Sequence, residues 1–305
     1  MRGPIDPGLS TQPEWIARPE RSNTLTMRFI VSVALTLGRA PTRLLLYPIC
    51  LYFLLFSPQS RAASRKYLRK VLEHPPRIGD LFRHYHAFAA TLLDRVFLLN
   101  GRFADFDVRM YGQAIVDEVI ARGEGCFLLG AHLGSFEIVR ALGRDAKVPP
   151  MNLVMYEENA RKLNSVLNAI NPNLPVHVIA LGQVDSMLKV EAALARGELV
   201  GMLGDRTIAG EGTVPREFLG AQAQLPLGPM RIAIMLKRPI VLMFGVYRGG
   251  KRYDIHFEAL ADMRQLERAQ REGAIDQALN AYLARIEHYC RLYPYNWFNF
   301  YDFWR

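Results

Sequence analysis

From Cys126 onward the chain alternates short apolar runs of strand length with longer stretches whose apolar residues recur at helical spacing. That alternation limits the fold more than any single residue does. CFLLGAH (Cys126–His132) precedes a helical pattern from about Gly134, and MNLVMY (Met151–Tyr156) precedes one over Glu157–Ile170. VHVIAL (Val176–Leu181) is followed by Gln183–Arg196, and LVGMLGD (Leu199–Asp205) runs into a glycine-rich loop. A helix over Gly228–Lys237 leads into IVLMFGVYR (Ile240–Arg248), and YDIHFEAL (Tyr253–Leu260) precedes a long helix, Met263–Leu292. Near-continuous apolar strands separated by amphipathic helices predict an α/β fold with a mainly parallel central sheet and helices on both faces. There is no internal repeat and no low-complexity segment.

The N-terminal part obeys a different rule. Residues 1–26 form a polar arm with no apolar region ahead of a small-residue cleavage site, so they do not resemble a cleavable signal. Residues 27–74 are apolar first and basic afterwards. LLLYPICLYFLLF (Leu44–Phe56) is too short to span a bilayer, and Arg39, Pro41, Arg43 and Pro48 interrupt the longer window. A bent membrane helix, a re-entrant hairpin, an interfacial anchor and a buried core helix all fit this run. Arg61, Arg65, Lys66, Arg69 and Lys70 follow it directly, a combination that an anionic leaflet attracts with the basic side toward the cytoplasm. The expectation is a membrane anchor and basic helix over 27–74 and a catalytic domain over 75–305. That domain opens with helical patterns, Pro58–Glu73 having ended at the prolines of HPPR and Ile78–Leu99 following them.

A net charge of +9 over 305 residues calls for an anionic partner, whether nucleic acid, lipid headgroups or an acidic carrier. No nucleic-acid-binding motif is present, and the basic residues concentrate beside the apolar run. Cys50, Cys126 and Cys290 lie too far apart for a metal clip or a disulfide framework. No phosphate-cradling or dinucleotide glycine loop appears, so the chain implies no cofactor.

The densest chemical signal is LLGAHLGSFE (Leu128–Glu137). His132 ends an apolar strand, Gly130 and Gly134 bracket it, and Glu137 falls in the first turn of the next element. In open α/β sheets, ligands bind beyond the carboxyl ends of strands, where this imidazole would point. The glycines allow a tight turn and leave room for a substrate. A carboxylate on one imidazole nitrogen leaves the other to take a proton, the arrangement of a general base with its orienter. The bland alternative is a buried histidine capping a strand and a solvated glutamate. Ser135 is not in a Gly-x-Ser-x-Gly elbow, which disfavours a serine hydrolase. His84 and His86, two apart on a helix, point different ways and make a poor metal pair.

GAHLGSFE resembles the His–x4–Asp/Glu motif of the glycerophosphate and lysophospholipid acyltransferase superfamily. It is most similar to the branch holding the late, lauroyl/myristoyl transferase-like acyltransferases of lipid A biosynthesis. The likeness extends to the apolar-then-basic N-terminal segment, to GDRTIAGEGTVPREFLG (Gly204–Gly220), to LPLGPMRIAIMLKRP (Leu225–Pro239) and to the tryptophan-containing aromatic end. The ending NWFNFYDFW departs from the branch's arginine-bearing, Trp-rich end and is closer to a side branch associated with pigment and polyene-lipid biosynthesis. The resemblance implies a glycerophosphate-acyltransferase-like fold at the cytoplasmic face of the bacterial inner membrane. It implies transfer of an acyl chain from a carrier thioester, acyl carrier protein or coenzyme A, to a hydroxyl of a lipid or glycolipid. The +9 charge suits the acidic carrier protein. The family's catalytic pair maps onto His132 and Glu137.

Other residues follow from that chemistry. A hydroxyl needs a base to become nucleophilic, and the tetrahedral oxyanion needs a donor. Asp205 and Arg206 close strand LVGMLGD, stand at the sheet edge of His132 if the two strands are parallel, and are both expected to face substrate there. Arg206 is the candidate for a substrate phosphate or charge, with an ion pair to Asp205 or Glu211 as the alternative. Gly210 and Gly212 keep that loop open, Pro226 and Gly228 shape the turn into the next helix, and Arg216 and Arg231 are further headgroup candidates. A non-enzymatic, membrane-bound lipid-binding or scaffold protein is the rival reading.

Overall fold

The computed structural model describes residues 24–139, 149–171, 177–183, 185–207 and 212–304. Four helices come first: α1 (Thr24–Leu37), α2 (Arg39–Leu44), α3 (Leu46–Phe56) and α4 (Pro58–Val71), followed by α5 (Ile78–Leu99). Strand β1 (Asp107–Tyr111) and helix α6 (Gln113–Ala121) lead to β2 (Cys126–Gly130). Then β3 (Met151–Tyr156), α7 (Glu157–Ile170), β4 (His177–Leu181), α8 (Ser186–Ala195) and β5 (Leu199–Leu203) alternate. The chain continues through β6 (Thr213–Phe218), β7 (Ala221–Pro226), α9 (Gly228–Met235), β8 (Ile240–Gly249), β9 (Arg252–Ala261) and α10 (Arg271–Leu292).

Seven strands form one sheet in the order β1-β9-β8-β2-β5-β3-β4. The five from β8 to β4 are parallel, while β9 runs antiparallel to β8 and carries β1 parallel to itself. The sheet is therefore mainly parallel, as the alternation predicted. Alternate residues of β2 show how both faces are covered. Phe127 and Leu129 enter a core shared with Leu68 of α4, Leu194 of α8, Met230 of α9 and Leu279 of α10. Cys126 and Leu128 enter a second core with Ala34 of α1, Phe97 of α5, Val116 of α6 and Leu167 of α7. All five β2 residues are buried, which is why this strand reads as an unbroken apolar run.

The structure departs from the sequence reading in three places. The segment read as a loop after β5 contains a two-stranded antiparallel hairpin, β6–β7, turning at Leu219 and Gly220, both at positive φ. The long C-terminal helix starts at Arg271, preceded by a 3-10 turn, Arg268–Gln270, whose Gln270 side chain accepts from the Glu267 N–H at 3.0 Å. The residues following Gly134 take 3-10 geometry over 136–139.

The N-terminal helices dock on the domain. Gly38, at φ 82, separates α1 from α2, and Pro48 lacks the N–H that would continue the helical ladder back to Leu44. Arg39 Nε lies 2.7 Å from Asp94 Oδ1 on α5, and Arg43 Nη1 lies 3.8 Å from Oδ2 of the same carboxylate, whose side chain is wholly buried. On α3, Leu46, Cys50 and Leu54 face the protein at helical spacing. Its other faces expose Leu51, Phe53, Leu55 and Phe56, the last 69% accessible. Residues 39–56 form one stretch long and apolar enough, by length and composition, to cross a bilayer.

Candidate active site

Sheet register builds the site. β2 and β5 are parallel neighbours in which Gly130 pairs with Leu203, so positions two residues further along each strand come level. Those positions are His132 and Asp205. The Gly204 N–H donates to the Gly130 carbonyl at 3.1 Å and extends the ladder past the strand ends. His132 Nδ1 lies 2.7 Å from Asp205 Oδ1, and the His132 backbone N–H reaches both carboxylate oxygens at 3.1 Å.

Asp205 is only 1% exposed, and a carboxylate out of water must be paired and hydrogen-bonded. Besides His132, its Oδ2 accepts from Trp297 Nε1 at 3.1 Å and from Asn299 Nδ2 at 2.9 Å. Burial alone would raise the Asp205 pKa. His132, Arg206 and Asn299 outweigh it and hold the carboxyl well below the ordinary carboxylate range. A carboxylate only accepts, so Nδ1 carries the imidazole proton and Nε2 keeps its lone pair. The imidazole is 28% exposed, and Nε2 has no hydrogen-bond partner among the described residues. Burial pulls its pKa below the usual histidine value. Arg206 and Arg95 pull the same way, while Asp205 opposes them. At neutral pH the ring is a neutral base.

These contacts correct the sequence-derived pairing. The carboxylate on the His132 ring belongs to Asp205, not to Glu137. Glu137 Oε1 is held 2.8 Å from Arg95 Nη2 of α5, and its Oε2 accepts from Ser135 Oγ at 3.3 Å. Asp205, expected to face substrate, is consumed by the protein. The bracketing glycines are consumed too. Gly134, at φ 70, packs its Cα against β8, where any Cβ would collide with the Gly245 carbonyl; the neighbouring Ser135 N–H bonds that carbonyl at 2.7 Å. A Cβ on Gly130 would meet Leu203, Met243 and Phe136. Protein occupies the room that these glycines were expected to leave.

Arg206 does stand beside His132, but its guanidinium is anchored. Nε donates to Asn299 Oδ1 at 2.7 Å, Nη2 donates to the Phe298 carbonyl at 3.1 Å, and the group sits 5.7 Å over the Tyr301 ring. Arg216 of β6 pairs with Asp276 of α10 at 2.5 Å, and Arg231 of α9 is exposed beside Gly212. Among the described residues neither bonds to the His132–Asp205 cluster. Gly210 and Glu211 lie outside the described residues.

What the sequence reading did not assign is the contact of the aromatic C-terminal tail with the candidate site. The Asn296 carbonyl accepts from the Gly134 N–H at 2.8 Å, and the Phe298 N–H donates to the His132 carbonyl at 2.7 Å. The Asn296 side chain bonds both backbone groups of Tyr247 on β8, at 2.8 and 3.1 Å. Trp297, fully buried, packs its ring tilted against Tyr67 at 4.9 Å and edge-on against Phe303 at 4.8 Å between centroids. Tyr282 of α10 donates to the Gly130 carbonyl at 2.7 Å from behind. The available signal was asparagine placed among aromatics in NWFN, polar amides where a purely apolar belt has none. His84, dismissed as a metal ligand, is a buried strut. Its Nε2 meets the Trp297 carbonyl at 2.8 Å and its Nδ1 meets Ser64 Oγ at 2.8 Å.

The sequence matches the bacterial lipid A biosynthesis acyltransferases over residues 93–305, well over half of the chain. The chain belongs to that family. No individually curated protein matches it. The lipid A acyltransferase match starts within α5 and takes in His132, Glu137, Asp205, Arg206 and the whole tail, while α1–α4 lie ahead of it. Membership makes the protein an acyltransferase, with an acyl donor and an acceptor of the lipid A type, and it supports the resemblance drawn from GAHLGSFE.

Proposed function

We propose that this acyltransferase moves a fatty acyl chain from a thioester to a hydroxyl of a lipid A-type glycolipid, with His132 as general base and Asp205 as its orienter. The observation that carries this reading is the His132–Asp205 pair, which occupies Nδ1 and leaves Nε2 to take a proton in a partly exposed ring. Nε2 takes the proton of the acceptor hydroxyl as its oxygen attacks the thioester carbonyl carbon. The tetrahedral oxyanion then collapses, the carbon–sulfur bond breaks, and the thiolate recovers the proton from the imidazolium. Buried Asp205 stabilises that transient cation without taking its proton. Glu137 acts at one remove, aligning Arg95, whose charge helps keep the imidazole neutral. Acyl carrier protein is the preferred donor because an acidic carrier complements the +9 chain, with coenzyme A as the alternative.

The same reading places the enzyme on the cytoplasmic face of the bacterial inner membrane, lying on the bilayer. At 1.5 Å per residue the 11-residue α3 is about 16 Å long, roughly half of a ~30 Å hydrocarbon core. Arg39 and Arg43 fix its N-terminal side to buried Asp94. Its outward apolar face, beside exposed Arg65 and Arg69, suits an anionic surface.

The test is acyl transfer by detergent-solubilised full-length protein from a labelled acyl-carrier thioester to a panel of lipid A precursors and lysolipids, with product identified by mass. His132→Ala is expected to lower turnover by about 10²–10⁴-fold, the usual worth of positioned proton transfer, with folding unchanged. A folded His132→Ala enzyme at full rate removes the general-base reading, whereas a wild-type protein that binds the lipids and transfers nothing favours a lipid-binding or scaffold role.

A further inference from the structure

We propose that Asn299 is a positioning residue for acyl transfer, its amide tying Arg206 to the carboxylate that aims His132. The inference rests on the general-base reading above and extends it to a residue in the C-terminal tail. Asn299 is 1% exposed and spends both ends of its amide at this site. Nδ2 donates to Asp205 Oδ2 at 2.9 Å, and Oδ1 accepts from Arg206 Nε at 2.7 Å. A carboxylate only accepts and a guanidinium only donates, so a bridge between them must donate on one side and accept on the other. Among side chains of this size an amide does both. Aspartate would set a second carboxylate against Asp205, and leucine would strand two buried polar groups.

The bridge has two consequences for His132. Nδ2, with Trp297 Nε1, occupies Asp205 Oδ2 and leaves Oδ1 for the imidazole. Oδ1 of Asn299 and the Phe298 carbonyl hold the guanidinium where its charge opposes protonation of the ring. Several charged or titratable groups cluster around the His132–Asp205 pair. Asp205 and Arg206 follow β5, Arg95 comes from α5, Glu137 from the loop after β2, Tyr282 from α10 and Tyr301 from the tail. Among the described residues, Arg206 and Asp205 are the two joined to each other through Asn299. Losing the amide loosens Arg206, which keeps its bond to the Phe298 carbonyl, and leaves Asp205 with one donor fewer to stabilise its charge. Both changes favour the protonated imidazole, so their effects on the ring share a sign.

The experiment measures kcat and KM across pH for full-length enzyme carrying Asn299→Ser or Asn299→Asp, with His132→Ala and wild type alongside and circular dichroism to verify folding. The expected result is a fall in kcat of roughly 10- to 100-fold, the range that loss of an outer hydrogen-bond partner costs at metal-bound histidines. KM should change little. The acid limb of the rate profile should move to higher pH in both variants, further in Asn299→Asp, because more of the enzyme is then protonated and idle. Combining Asn299→Ser with Arg206→Gln should cost less than the product of the two separate effects, since both act through one guanidinium. A folded variant whose acid limb stays in place overturns the proposal, as does failure of both variants to fold, which would assign Asn299 to the core alone. Loss of rate in His132→Ala with an unmoved limb in the Asn299 variants sinks the proposal by itself. Retained rate in His132→Ala sinks the general-base reading and the proposal with it.

Discussion

Helix α3 and the C-terminal tail are both rich in large aromatic side chains, and those side chains end in opposite environments. LYPICLYFLLF leaves Leu51, Phe53, Leu55 and Phe56 exposed. In the tail, residues 293–304, Trp297, Phe298 and Phe303 are all buried. Aromatic content alone does not separate them. Backbone hydrogen bonding does. A helix satisfies its own N–H and C=O groups and can present apolar side chains to lipid without further partners. The tail is not helical, so its peptide groups must bond to the protein, and they do so at Gly134 and His132. Its side chains add Asn296, Asn299 and Asp302, the last 2.7 Å from Lys66. A segment without a helical ladder must find most of its partners elsewhere, and here it finds them at the candidate site.

Three measurements bear on that contrast, in falling order of effect. Trp297→Ala removes the largest buried side chain in the tail together with one donor to Asp205. It should cost about 3–5 kcal/mol in denaturant unfolding and abolish measurable transfer. A cost under ~1 kcal/mol would mean that the tail only covers the surface.

Acid is the second probe, acting through His84, whose ring is fully buried between Ser64 and the Trp297 carbonyl. Burial lowers its pKa to about 4, against an ordinary 6.5. Above pH 6.5 both the folded and the unfolded states hold it neutral, and it contributes no pH dependence. Between 6.5 and 4 the unfolded chain takes up a proton that the folded chain refuses. Stability therefore falls as pH drops, by about 3 kcal/mol in all. His84→Gln should flatten that part of the unfolding profile; an unchanged profile would show that another group carries the acid sensitivity.

The smallest effect on stability is expected from α3. Replacing Leu51, Phe53 and Leu55 together with serine should alter unfolding by at most about 0.5 kcal/mol per site, as for exposed positions elsewhere. Sedimentation with anionic vesicles should nevertheless fall steeply. Undiminished vesicle binding would break the contrast, because the exposed face would then not be the lipid-facing one.

How legible all this was depended on the range of each interaction. α7 and α5 run over the residues that their periodicity predicted, and the β2 and β5 runs were plain, since local patterns specify local elements. The β6–β7 hairpin was hidden because TVPREF and AQAQLP carry prolines and no continuous apolar run, and its burial is confined to Phe218, Ala223, Leu225 and Pro226. His132 was visible because glycines and a strand end surround it in sequence. Its carboxylate partner was not, for Asp205 stands 73 residues away and meets it through strand register. Asn299 and Trp297, more than 90 residues from Asp205, were further still beyond any spacing rule. A nearby glutamate was the natural choice on sequence alone, and the fold gave that place to a distant aspartate.

The pairing of His132 with Asp205 rather than Glu137 is the claim on which the site stands, and two isosteric exchanges test it most directly. Asp205→Asn keeps the shape but removes the charge that fixes the imidazole tautomer. It should lower kcat/KM on the order of 10³–10⁴-fold, as in catalytic triads that lose the equivalent charge. Glu137→Gln leaves that pair intact and should cost roughly tenfold or less, through looser alignment of Arg95. The account is contradicted if Glu137→Gln brings the larger loss while folded Asp205→Asn stays near the wild-type rate.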